Sequence, residues 1–250
     1  MTTPKINSVL FDLGSTLVYF NAPWPDSFHE MSEALLKNLQ VHDIFIQDRE
    51  KFAQEYFNRL LVSEPEEANN YLQTTAEQSL RVLLADFGFS SVEPDVIQSS
   101  LRRMFEVAEK YWTVEEDAPA TLRALKKAGK SLAIISNAED DENFQHIIDK
   151  AHIREYFDVI LNSAVFGYAK PGSNIYLEAL RQLDLSAENA VMVGDRLDTD
   201  VYGANRLGMR CVWVTRRSRH ADPANPQAGM VPWKTIQTLA QLPGIILAEG

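Results

Sequence analysis

The sequence predicts an α/β protein, a doubly wound parallel sheet interrupted after its first strand by an all-helical insertion. Three observations carry this reading. Five short β-rich runs are apolar on both faces; helical segments alternate with them from Pro119 onward; and the interval from about Tyr19 to Val114 holds amphipathic stretches but no strand.

The strands are Ser8–Phe11, Leu132–Ser136, Asp158–Asn162, Ala190–Gly194 and Cys211–Thr215. Runs this brief and uniformly apolar belong in a sheet that helices cover on both sides. Between them, Pro119–Ala128 stops at Gly129 and Asp200–Leu207 stops at Gly208. Glu142–Lys150 and Asn174–Leu183 have helical spacing, the latter opened by Ser173 as N-cap. The insertion contains Ser27–Leu39, Asp48–Leu61, Glu66–Phe87 and Asp95–Tyr111, set among the breakers Pro23, Pro25, Pro65, Gly88 and Pro94. After the last strand, Arg216–Met230 reads as a loop containing Pro223, Pro226 and Gly229, and Lys234–Leu242 as a final helix. Residues 1–18 and 115–250 are thus expected to form the α/β part, and 19–114 the helical part.

Composition narrows the function classes. With 250 residues, a core of ordinary size is available. A net charge of -11 argues against a nucleic-acid binder, and the one dense basic cluster, Arg216, Arg217 and Arg219, reads as a solvated loop. No run approaches the roughly 20 apolar residues of a membrane span, and the N-terminal stretch lacks the apolar region of a signal peptide. The lone Cys211 reads as a buried strand residue. A cytoplasmic protein is expected, with a small molecule as partner and neither nucleic acid nor membrane.

In an open parallel sheet, ligands gather outside the carboxyl ends of the strands. The first strand, in "VLFDLGSTLV", delivers Asp12, followed by Gly14, Ser15 and Thr16. The second delivers Ser136 and Asn137; the third is followed by Lys170 in "VFGYAKPG"; the fourth, "VMVGDRLDTDV", delivers Asp195 and Asp200. Singly, each such residue reads as a turn or N-cap. Together, a carboxylate, a hydroxyl with an amide, an ammonium and two further carboxylates converge on one small volume.

In order and spacing this set resembles the haloacid dehalogenase-like hydrolase superfamily. There an apolar strand ends in an aspartate nucleophile within D-x-D-x-T, a Ser or Thr follows the second strand, a Lys precedes the fourth, and an acidic G-D-x-x-x-x-D follows it. The resemblance implies a Rossmann-like core with residues 19–114 as a helical cap, and a phosphatase acting on a small phosphorylated metabolite. Asp12 would attack phosphorus and carry an aspartyl-phosphate. Mg²⁺ would be held by Asp12, the Gly14 carbonyl and Asp195, with Asp200 and Thr16 behind these ligands. Ser136, Asn137 and Lys170 would bind the phosphoryl group, and Lys170 would neutralise charge. Three carboxylates against one ammonium repel a phosphate, and a divalent cation restores balance.

Gly14 departs from the pattern, because phosphatases of the family usually carry a general-acid aspartate there. Three readings follow. The substrate has a good leaving group, such as an anomeric, acyl or aryl oxygen; or Glu139, Asp140, Asp141 or a cap residue supplies the proton; or the chain is a weak relative that binds a phosphorylated ligand. A 2-haloacid dehalogenase is the rival enzyme, but it would carry a bulky aromatic at position 14 and an arginine early in the cap, whereas the first arginine after Asp12 is Arg49. Phosphonate cleavage through a cap lysine, Lys37 or Lys51, ranks lower. Within the cap, Tyr19–Phe28 with Trp24, and His29, Tyr56, Arg59 and Arg81, are either substrate contacts or ordinary packing and solvent-facing residues.

Overall fold

The computed structural model describes residues 4–23, 25–62, 70–218 and 229–248. Trp24, Arg219, Pro223, Pro226 and the start of the third expected helical stretch lie outside them. Strands β1 (Ser8–Phe11), β4 (Ser131–Ser136), β5 (Val159–Asn162), β6 (Ala190–Gly194), β7 (Arg210–Val214) and β8 (Lys234–Ile236) form one parallel sheet in the order β5-β4-β1-β6-β7-β8. Side chains alternate between two apolar layers. Val9, Phe11, Leu132, Ile134, Val191 and Val193 enter one layer; Leu10, Ala133, Ile135 and Met192 enter the other. This period of two, with both faces covered, explains why the strands read as unbroken apolar runs.

Helices α1 (Asp26–Val41), α2 (Arg49–Val62), α3 (Ala76–Asp86) and α4 (Pro94–Glu109) follow the first strand, and their apolar stripes meet in a separate core that includes Leu35, Phe52, Tyr56, Leu80 and Met104. α3 begins at a reciprocal capping box between Thr75 and Gln78, later than the expected start at Glu66. The remaining helices are α5 (Ala118–Lys127), α6 (Asp141–Lys150), α7 (Ser163–Phe166), α8 (Ser173–Leu183), α9 (Tyr202–Arg206) and α10 (Leu242–Ala248).

Three expectations are corrected. The interval expected to lack strands begins and ends in one: β2 (Val18–Phe20) and β3 (Trp112–Val114) pair antiparallel where the chain leaves and re-enters the α/β part. Each is only three residues long, too short to show a period of its own. The final helix expected at Lys234–Leu242 is instead strand β8, with a helical turn at Leu239–Gln241 and α10 beyond. Its backbone joins β7 at the sheet edge, which overrides the weak helical pattern. The N-cap of α8 is Gly172, and Ser173 is already helical.

Candidate active site

The turn after β1 sets Asp12 at the carboxyl end of this central strand. The Asp12 N–H donates to Val193 at 2.9 Å, continuing the β1–β6 ladder, and the chain then folds back so that the N–H groups of Leu17 and Val18 both donate to the Leu13 carbonyl. Ser15, at φ 59°, supplies the left-handed residue of this turn. Gly14 has no such φ, and a Cβ built on it would meet only the Trp112 ring, at an ordinary 3.7 Å.

Lys170 is the hub of the site. Its Nζ donates to Asp12 Oδ1 at 2.6 Å and to Asp200 Oδ1 at 2.7 Å, with all three side chains almost wholly buried. Burial pulls the Lys170 ammonium down, but the Asp12 and Asp200 carboxylates more than offset it and hold it above the ordinary lysine value. The lysine loop is clamped by Asn137, whose side-chain amide donates to the Lys170 carbonyl at 2.9 Å and accepts from the Lys170 N–H at 2.8 Å. Expected to touch substrate, Asn137 thus spends its amide on the lysine backbone. Asp200 accepts the Arg196 N–H at 3.0 Å through its second oxygen. It sits in a wide π-type turn, Leu197–Val201, packed so closely on Gly194 that a Cβ there would fall 2.1 Å from Asp200 Oδ2. Gly194 is glycine because the carboxylate occupies that space.

Carboxylate oxygens of Asp12, Asp195 and Asp200 lie within 4.8 Å of one another. The Trp213 indole N–H donates to the Asp195 carbonyl at 2.9 Å and fixes that loop. Burial first, then the charges of Asp12 and Asp200, pushes the Asp195 carboxyl far above the usual carboxylate range; Asp200 is raised by burial as well, with Lys170 opposing. Carboxyls driven up in this way mark a cluster short of positive charge. Its hard oxygen donors fit a divalent cation of the Mg²⁺ type. Thr16 is fully buried, and its hydroxyl has no partner in the structure.

A cavity of about 670 Å³ opens over these groups. Asp12, Gly14, Ser136, Asn137, Lys170 and Asp195 all line it. Its lining also includes residues that sequence reasoning missed. Arg216 and Arg217, expected in a solvated loop, reach the cavity and pair with Glu115, itself 2% exposed. Arg216 also bonds Asp117, and the Arg217 guanidinium lies 3.4 Å over the Tyr19 ring. The signal was available, since both follow the carboxyl end of β7 and strand ends are where ligands gather. Other expectations fall elsewhere. His29, Lys37 and Lys51 are exposed, Arg59 and Arg81 form ion pairs with Asp86 and Glu77, and Tyr56 is buried with its hydroxyl on the Ala76 carbonyl. None of these six lines the cavity.

Residues 6–208 match the family described as "Hydrolase: haloacid dehalogenase-like hydrolase". The chain belongs to this family. A glyceraldehyde 3-phosphate phosphatase of Methanopyrus kandleri is 32% identical over 130 residues, covering 52% of this chain and 55% of that protein. The chain spans about half the length of the curated relatives it matches. Among solved structures, a HAD phosphatase from Thermococcus onnurineus superposes with a TM-score of 0.66 at 20% identity, covering 96% of this chain and 98% of that one. A 2-haloacid dehalogenase from Pseudomonas syringae pv. tomato DC3000 gives 0.67 at 23% identity, covering 98% and 100%. These likenesses establish the shared fold, and neither chooses between the two chemistries. Among the described residues, no helix is long and apolar enough to cross a membrane.

Proposed function

We propose that this haloacid dehalogenase-like hydrolase is a Mg²⁺-dependent phosphatase acting on a small phosphorylated metabolite, with residues 19–114 serving as a cap over the site. One observation carries the reading. Lys170 bridges Asp12 and Asp200 while Asp195 stands within 4.8 Å of both carboxylates, which leaves a buried excess of negative charge beside the candidate nucleophile. A dehalogenase attacking carbon has no use for that excess, whereas a phosphatase does. The phosphatase names among the relatives agree.

In this reading Asp12, the Gly14 carbonyl and Asp195 would hold Mg²⁺. Once bound, the ion supplies charge neutralisation and orientation for a phosphate oxygen. The rest falls to the chain. An Asp12 carboxylate oxygen attacks phosphorus, a P–O bond to the aspartate forms, and the bond to the leaving oxygen breaks. Lys170 offsets charge on the nucleophile and on the phosphoryl oxygens as it spreads in the transition state. Ser136, buried at the end of β4 and lining the cavity, would donate to a phosphoryl oxygen in this reading. Asp200 acts through Lys170, holding its ammonium on Asp12, and Asn137 holds the loop that carries it. Water then cleaves the aspartyl-phosphate and regenerates Asp12.

The test is turnover of a panel of small phosphate esters, with p-nitrophenyl phosphate as reporter, with and without Mg²⁺. Metal-dependent phosphate release that is lost in Asp12→Asn, with the circular-dichroism spectrum unchanged, is the expected result. Halide release from 2-haloacids with no phosphate release from any ester would overturn the reading.

A further inference from the structure

We propose that the group released from phosphorus is aromatic, packs on Trp112, and departs as a phenolate-like anion without being protonated by the enzyme. This rests on the phosphatase reading and narrows its substrate class. Gly14 stands two residues from the candidate nucleophile Asp12. A glycine is often kept because the backbone needs it or because a side chain would collide. Neither holds here: Ser15 carries the left-handed conformation, and a Cβ on Gly14 would make ordinary contact with the Trp112 ring at 3.7 Å. The fold admits a Cβ at this place, beside the nucleophile, and the chain offers none.

What stands opposite is an indole. Trp112 lies across from Phe20 in the β2–β3 ribbon, and the two rings meet edge to face at 5.5 Å and 71°. Cross-strand pairing on a short ribbon thus holds the indole in the cavity wall. Leu13, Tyr19, Phe20, Phe144 and Ile147 also line the cavity. The cavity wall thus carries, besides its carboxylates, hydroxyl and cations, an aromatic and aliphatic surface on which a flat apolar group can pack, with Arg216, Arg217, Glu139, Asp140 and Asn143 also lining the cavity.

The chemistry closes consistently. When Asp12 forms its bond to phosphorus, the electron pair of the breaking P–O bond goes to the leaving oxygen. An alkyl alkoxide is too basic to leave so without a proton donor, and general-acid help of this kind is worth about 10²–10⁴-fold. A phenol, with a pKa near 10 like that of tyrosine, leaves as the anion and takes its proton from solvent afterwards.

The experiment is a leaving-group series on the Mg²⁺-loaded enzyme, running from nitrophenyl through phenyl to benzyl and methyl phosphate. Benzyl phosphate is aromatic but leaves as an alkyl oxygen, so it separates recognition from leaving-group acidity. A steep fall of kcat/KM with leaving-group pKa is expected, with benzyl phosphate bound comparably to phenyl phosphate but turned over far more slowly. Gly14→Asp is expected to raise benzyl phosphate turnover at least tenfold more than nitrophenyl phosphate turnover. Trp112→Ala should raise KM for the phenyl ester roughly tenfold, with Trp112→Phe restoring most of it. Phenylphosphonate should bind more tightly than methylphosphonate, read by thermal shift on the unaltered protein. A flat leaving-group series would reveal a proton donor in place, Glu139 and Asp140 being the cavity-lining carboxyls nearest in sequence to Ser136, and would overturn the proposal. Equal binding of the two phosphonates would overturn it too. Inertness toward every ester would instead strike the phosphatase reading itself.

Discussion

The ammonium of Lys170 lies 2.6 Å from Asp12 Oδ1, in a pocket where the lysine is 2% exposed. A contact this short and this dry makes the two side chains one electrostatic unit, because charge inside a low-dielectric site is poorly screened.

Removing the lysine charge should therefore cost far more than a surface ion pair would. Lys170→Met is expected to lower kcat by about 10²–10³-fold, the range seen when a preorganised electrostatic contact is deleted. It should also destabilise the fold by about 3 kcal/mol, because buried carboxylates lose their partner. Steady-state kinetics and urea unfolding measure the two effects. A variant as active as the parent would remove Lys170 from the reaction.

Excess chelator should abolish turnover, and added Mg²⁺ should restore it. Binding should also be visible without any substrate. At 100 times its dissociation constant a ligand stabilises by about 2.7 kcal/mol, which corresponds to roughly 5–10 °C in Tm for a chain of this size. Asp195→Asn is expected to lose that Mg²⁺-dependent rise, as monitored by differential scanning calorimetry. An identical rise in the variant would take Asp195 out of the ligand set.

The two glycines at the site should respond oppositely to a single methyl group. In Gly194→Ala the new Cβ meets Asp200 Oδ2 at 2.1 Å, so the carboxylate must move; a loss of about 1–3 kcal/mol and a drop in activity follow. Gly14→Ala meets Trp112 at 3.7 Å and should leave Tm unchanged or slightly raised. Paired thermal melts decide it, and equal destabilisation of both would contradict the local geometry.

Acid should weaken the contact between the α5 end and the loop after β7. Asp117 accepts Arg216 at 2.9 and 3.2 Å and the Ala240 N–H at 3.2 Å. Burial raises its carboxyl, but these donors more than offset it and hold it below the ordinary aspartate range. With the folded value below the unfolded one, the stabilisation is complete above about pH 4 and is lost as pH falls through the folded value. Asp117→Asn should lower stability by about 1 kcal/mol at pH 7, with the two melting curves converging as the pH falls through the folded value. A gap that stays constant with pH would rule out the ion pair as its cause.

The residues themselves determined the sheet, its helical insertion and the convergence of Asp12, Ser136, Lys170, Asp195 and Asp200, because these depend on local patterns. A buried strand is apolar on both faces, and polar residues at successive carboxyl ends of one parallel sheet share an edge wherever the helices between them lie. What needed the tertiary structure were relationships without a local signature. Strands β2, β3 and β8 are three residues long and exist only through their pairing partners. Arg216 and Arg217 read as a solvated basic patch until Glu115, Asp117 and the Tyr19 ring are brought against them from the two ends of the helical insertion. Gly14 reads only as a missing acid until folding sets Trp112 beside it. Period and composition record what each residue prefers, whereas which side chain from a distant segment fills the space beside it is set by how the layers pack.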